Sequence, residues 1–258
     1  ALLLFQYTIE HNLITPPMRV GVGIAAGLLC IALSEWLTHR AQPFAANALT
    51  GAGIVALYAS FWAGHSLYGL IGGVPAFALL VLTTVACGAL SRRRASLLVA
   101  VLGLVGGFAT PLLVTPGIDQ PLTLFSYLLL LDGGLIWLSR QRGWPALAVL
   151  SVAGTALHEA MWVFTSTEGE LLLIGAVVAG VFALAFVVAA SGSAGSLWRW
   201  TTVGGVAVAF GLALALAMRV ELGSRIAPLG VLLILLGALA CWLARRLDDA
   251  MIAIGAAA

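Results

Sequence analysis

Ala156-Leu157-His158-Glu159-Ala160-Met161-Trp162 lies inside an apolar run from Trp144 to Thr165. That run is long enough to cross a bilayer as a helix, which takes about 20 residues. It also places a histidine and a glutamate at membrane depth. The rest of the chain has the same character. Hydrophobic residues make up 62% and charged residues 9%, and the mean hydropathy is +1.11. A soluble domain carries about 25% charged residues, so this chain cannot cover a water-facing surface. Lipid is its solvent, and the expected fold is all-α: a polytopic transmembrane helix bundle.

Outward from this run, the spans are counted by apolar length. A first run ends near Leu13, where Glu10-His11-Asn12 closes a truncated helix. Nine complete spans follow: Pro17–Leu37, Phe44–Gly64, Val74–Leu90, Ala95–Val114, Pro121–Ser139, Trp144–Thr165, Leu171–Ala190, Trp200–Met218 and Ala227–Ala244. The arginines test the count. Arg40, Arg92, Arg93, Arg94, Arg140, Arg142, Arg199, Arg245 and Arg246 all follow even-numbered helices, counting the truncated one. Only Arg19, Arg219 and Arg225 fall on the other side. Such a bias places the even helix ends in the cytoplasm, and Glu10, Asp119, Glu168 and Glu170 outside. The chain is expected to cross its membrane many times.

All twelve basic residues are arginine, and the net charge is +2. That charge is too small to indicate a nucleic-acid partner; membrane lipids, other membrane proteins or further copies of the chain are the expected neighbours. Cys30, Cys87 and Cys241 each fall in an apolar run without metal-ligand spacing, which reads as free buried thiols. No metal and no cofactor is implied. The chain opens within the apolar run Ala1 to Ile9 and ends in Gly255-Ala256-Ala257-Ala258 as another begins. It is read as one transmembrane region, 1–258, cut from a longer chain.

Three helices end alike, in Trp36-Leu37-Thr38-His39-Arg40, Trp137-Leu138-Ser139-Arg140 and Trp242-Leu243-Ala244-Arg245. Trp and Arg at a helix end are also ordinary interface anchors. Two echoes share nearly the same offset. Ala56-Leu57-Tyr58-Ala59-Ser60-Phe61-Trp62 matches Ala156 to Trp162, and Val105-Gly106-Gly107 matches Val203-Gly204-Gly205. The expectation is a four-helix repeat of the parallel kind, with units 17–114 and 121–219.

The runs Gly103-Leu104-Val105-Gly106-Gly107-Phe108-Ala109-Thr110-Pro111-Leu112-Leu113, Tyr127-Leu128-Leu129-Leu130-Leu131-Asp132 and Gly154-Thr155-Ala156-Leu157-His158-Glu159-Ala160-Met161-Trp162 carry a resemblance. With Pro17-Met18-Arg19-Val20 and the stretch from Gly51 to Tyr58, the chain resembles the bacterial membrane proteins of domain-of-unknown-function family 2339. The resemblance implies a long polytopic inner-membrane protein. It implies no catalytic residues.

An ionisable group inside a span is costly and is by default a functional hypothesis. Glu159 lies roughly 9 Å from the outer end of its helix and Asp132 roughly 16 Å from that of its own. Their helices form a hairpin, so the two acids can share a face, as protonatable groups lining a cavity or as hydrogen-bonded struts. Gly133-Gly134 would let another backbone approach beside Asp132. His158 points about 100° away from Glu159 and shares a face with Trp162. Glu35 and His39 are spaced as an i, i+4 pair at the cytoplasmic interface. His65 reads as a wet interface histidine. Gly23 with Gly27, and Gly103 with Gly106 and Gly107, are small residues at helix-packing spacing. Pro111 is expected to break the outer end of its helix.

The sequence has no phosphate-binding loop, nucleophile elbow, His-Glu-x-x-His or arginine-rich voltage-sensing helix, and its loops are short. Three functions stay open. One is transport or translocation of a small or lipid-like solute, through a cavity near Glu159, Asp132 and Tyr58. The second is a structural or assembly scaffold. The third is a membrane-embedded enzyme on a lipid-linked substrate, with His158 and Glu159 as acid and base; a non-enzymatic role is favoured.

Overall fold

The computed structural model describes residues 15–40, 42–114, 121–165, 171–190, 195–219 and 227–255. These residues form nine α-helices and no strand. They are α1 (Pro16–His39), α2 (Pro43–Trp62), α3 (Gly73–Arg94), α4 (Leu97–Val114), α5 (Pro121–Arg142), α6 (Pro145–Thr165), α7 (Leu171–Ala190), α8 (Ser196–Arg219) and α9 (Ala227–Gly255). A π-helical turn, Ala63–Leu67, continues α2. Hydrocarbon offers the backbone no partner, so an apolar run closes its own hydrogen bonds as a helix. Proline opens α1, α2, α5 and α6, where its missing N–H costs nothing and its fixed φ suits the first turn. The expected first helix and Asp119, Glu168 and Glu170 lie outside the described residues.

Seven of these helices are long and apolar enough to cross a membrane: α1 to α6 and α8. The described apolar stretches of α7 and α9, Ile174–Ala189 and Gly230–Leu243, are shorter. Two helices depart from expectation. Pro111 does not break α4, which continues through it to Val114; the proline sits in the last turn, where few backbone bonds remain to lose. Helix α9 runs past Ala244 to Gly255, because Arg245, Arg246 and Leu247 are good helix formers once the chain leaves the apolar run.

The chain divides into two compact units. The first holds α1 to α4 with the hairpin end Trp137–Leu147; the second holds Pro121–Ile136 and the chain from Ala148 onward. In the first unit α1 packs on α2, α3 on α4, and α2 also on α4. Its core gathers Leu57, Phe61, Ala76, Leu80 and Val114, with Ile54, Cys87 and Val99 beside them. In the second unit α7 packs on α8, and α9 on both. Phe125 of α5 meets Trp162 of α6 edge-on at 5.3 Å, and Phe182 of α7 at 6.2 Å.

Small residues set the helix approach in the first unit. A Cβ on Gly27 would lie 2.9 Å from the carbonyl oxygen of Gly53, and one on Gly53 would lie 2.6 Å from that of Gly27. The α1 and α2 backbones therefore cross in contact. Gly23 faces Ser60, and Gly103 faces the Cβ of Cys87. Gly106 makes room for the ring of Tyr58, whose hydroxyl reaches Thr84 Oγ1 at 2.6 Å. Gly107 is buried.

Two helical hairpins at the arginine-rich end, α3–α4 and α5–α6, use the same turn. In Ser91-Arg92-Arg93-Arg94-Ala95-Ser96, the Ser96 N–H donates to Ser91 O at 3.2 Å and Ser91 Oγ donates to Ser96 O at 2.9 Å. In Ser139-Arg140-Gln141-Arg142-Gly143-Trp144, the Trp144 N–H and Ser139 Oγ make the matching pair at 2.9 and 2.7 Å. The fifth residue of each is left-handed: Ala95 at φ 51° and Gly143 at φ 66°. Glycine takes that conformation freely, whereas alanine takes it at a cost.

Arg94 from the first turn reaches inward, its side chain only 7% exposed. It forms an ion pair with Glu35 and donates to Ser34 Oγ at 2.9 Å and to Thr50 Oγ1. The expected Glu35–His39 pair is thus replaced by Glu35–Arg94, which ties α1 and α2 to the end of α3. A long flexible arginine from a neighbouring helix can outcompete an imidazole one turn away, because its fork meets the carboxylate and two hydroxyls together.

At the opposite end, His65 is half-buried and makes specific contacts with two carbonyls. Its Nδ1 lies 2.8 Å from Ile71 O and its Nε2 3.2 Å from Val114 O. Ser66 Oγ donates to Leu113 O at 3.1 Å. The π turn thereby holds carbonyls that the end of α4 leaves without helical partners.

Candidate functional site

The second unit buries a polar stripe along α6. Ser151, Thr155 and Glu159 recur every fourth residue, so they lie on one helix face. All three are buried, as is Asp132 of α5 at 2% exposure. Ser151 Oγ donates to Asp132 Oδ1, and Thr155 Oγ1 donates to Oδ2 at 2.6 Å. Each carboxylate oxygen thus receives one hydroxyl. A carboxylate in a membrane interior must find its donors in the protein, and here the facing helix supplies them.

One turn further along, Glu159 is 1% exposed, and its Oε1 has no hydrogen-bond partner among the described residues. The two acids therefore have different surroundings: Asp132 is held by hydroxyls, and Glu159 keeps a bare oxygen. His158, on the next face, is buried, and its Nδ1 donates to Gly154 O at 3.0 Å, back along its own helix. Trp162 is buried against Phe125, so it packs the end of the stripe. Among the described residues no group of three or more His, Cys, Asp and Glu could hold a metal ion. The arrangement can hold and exchange a proton among oxygen atoms, or lock α5 to α6.

The structure thus sets Asp132 against the α6 face that carries Glu159, one turn beyond Thr155, and keeps His158 and Trp162 on the same helix. Tyr58 belongs to the first unit and to its own partners there. Among the described residues no backbone approaches Gly133 or Gly134; a Cβ on either would meet nothing within 4 Å, and both are exposed. The missing side chain there faces outward, so it cannot serve an internal contact. Ser151 and Thr155 are the residues that sequence reasoning missed. Their four-residue spacing to Glu159 was the available signal, but small hydroxyl residues in apolar helices commonly bond their own backbone. An apolar groove of about 690 Å³ between α7 and α9, lined by residues such as Val177, Val181, Val231 and Leu235, holds none of these polar groups.

A family model described as "Predicted membrane protein (DUF2339)" matches residues 1–258. No curated protein and no solved structure matches the chain.

Proposed function

Because the chain belongs to the DUF2339 family of membrane proteins, we propose that it works within the bilayer as a transport or translocation component, with the Asp132–Glu159 stripe as its working part. The observation that supports this most is the bare, fully buried Oε1 of Glu159 beside a carboxyl that two hydroxyls already satisfy. An unsolvated acid oxygen in hydrocarbon is costly to keep, and a site that binds a proton or a polar solute group accounts for that cost. The solute is small or lipid-like, since the short loops leave chemistry to the bundle. The proposed setting is a bacterial inner membrane, with the arginine-rich helix ends in the cytoplasm. Helices 17–114 and 121–219 are proposed as parallel repeat units.

A scaffold is the second reading, favoured by the hydroxyl clasp on Asp132, which also suits a strut between α5 and α6. Thiol labelling separates the two. Cys30, Cys87 and Cys241 are replaced, Glu159→Cys or Asp132→Cys is introduced, and a membrane-impermeant reagent is applied to oriented vesicles. Labelling at both positions in a folded protein supports a water-filled path. Protection at both refutes the transport reading and leaves the scaffold.

A further inference from the structure

We propose that the arginine-rich end of the first unit is a docking surface for anionic phospholipid headgroups, built around two stacked pairs, Arg40 on Trp36 and Arg92 on Trp137. The Arg40 guanidinium lies 4.6 Å from the Trp36 ring centre, and that of Arg92 lies 5.4 Å from the Trp137 ring centre. Both rings are half exposed, at 55% and 51%. The pairs stand on α1, α3 and α5, and the Glu35–Arg94 ion pair ties α1 to the end of α3. Trp36 and Arg40 neighbour Glu35, Glu35 pairs with Arg94, and Arg94 shares its turn with Arg92.

Charge distinguishes this end. Glu35 is the only acid on α1 to α4 or on Trp137–Leu147, and Arg94 already engages it. Arg40, Arg92, Arg93 and Arg142 are exposed, and no other carboxylate on these elements can neutralise them. A stacked guanidinium uses its flat face on the ring and leaves its N–H edge outward, and that edge grips a phosphate with two hydrogen bonds. Tryptophan at a helix end sits at headgroup depth, so the ring holds the arginine at the level of lipid phosphates.

The surroundings select a lipid over a soluble anion or an acidic peptide. Leu97 and Leu98 open α4 immediately after the Arg92–Ser96 turn, and both are exposed. The surface is cationic at its rim and apolar one turn below, as an anionic lipid is charged at its head and apolar beneath. Attraction to an anionic leaflet amounts to roughly fivefold in affinity per arginine.

The test uses the full chain reconstituted in phosphatidylcholine vesicles carrying a doxyl-labelled quencher on either phosphatidylglycerol or phosphatidylcholine. Tryptophan fluorescence is the readout, and Trp36→Phe and Trp137→Phe assign the signal. Labelled phosphatidylglycerol is expected to quench these two rings more than labelled phosphatidylcholine does. The excess should shrink with salt, and should fall in relative affinity by more than tenfold in the pair Arg92→Gln/Arg93→Gln. Arg92→Lys keeps the charge but loses the planar stack, so it should retain part of the excess. Equal quenching by the two lipids in the wild-type protein overturns the proposal. So does an excess unchanged in the glutamine pair, or one that soluble glycerophosphate abolishes. Should the glutamine pair fail to fold, the salt titration of the two assigned rings in the wild-type protein decides alone.

Discussion

Replacing Gly53 with alanine tests the close crossing of α1 and α2. The added Cβ would sit 2.6 Å from the backbone oxygen of Gly27 and 2.9 Å from Ile31 Cγ1. Ordinary contact begins at 3.4 Å, so the shortfall against the oxygen is about 0.8 Å. A backbone oxygen cannot swing aside as a side chain does, so the two helices must move apart. Overpacking of this kind costs about 1–3 kcal/mol, and the helix propensity of alanine returns at most about 1 kcal/mol. Gly53→Ala should therefore lower stability by up to about 2 kcal/mol, and by about 1–3 kcal/mol relative to a glycine-to-alanine change without the clash. Gly21→Ala is the matched control, because a Cβ there meets nothing within 4 Å; it should be neutral or slightly stabilising. Both variants would be unfolded by titrating SDS into mixed micelles, followed by far-UV circular dichroism. Equal midpoints for Gly53→Ala and Gly21→Ala would refute the backbone contact.

Removing the hydroxyl donors should loosen α5 from α6: Ser151→Ala and Thr155→Val are each expected to cost about 0.6–2 kcal/mol in the same assay, and a midpoint unchanged in both would show that Asp132 is not held as described. Arg94→Gln should cost about 2 kcal/mol, since it strips a charged donor from Glu35, Ser34 and Thr50; the cost stays below that of a fully buried pair because Glu35 is 45% exposed. A double-mutant cycle with Glu35→Gln measures the coupling, and zero coupling would contradict the ion pair. His65→Leu should free the far end of α4, and a spin label at Leu112 should become more mobile by electron paramagnetic resonance; unchanged spectra would mean that the imidazole does not hold that end.

The sequence by itself determined the class of the protein and the order of its helices. A chain this apolar must close its backbone hydrogen bonds internally, so the runs near Pro17–Leu37 and Pro121–Ser139 could only be helices. Pro16-Pro17 and Pro121 then marked two of their starts. The acids were legible for the same reason, since Asp132 and Glu159 interrupt runs that otherwise read as lipid-compatible. What the tertiary structure decided was partnership. Which residue meets Asp132 depends on the rotation of α6 about its axis and its slide along α5, and no local pattern specifies either. Depth counted from the helix ends set Asp132 and Glu159 apart by roughly 7 Å, but it could not say that Asp132 would meet Ser151 and Thr155, two turns and one turn along α6 from Glu159. Arg94 read as one of a loop triplet, yet the left-handed turn at Ala95 and the packing of α3 turn it inward to Glu35. His65 is bound to carbonyls that its own neighbourhood in sequence does not contain, among them Val114 O. Apolar length is a local property and survives as a signal in the chain, whereas a polar contact between helices exists only once two rotations and a translation have been chosen by packing.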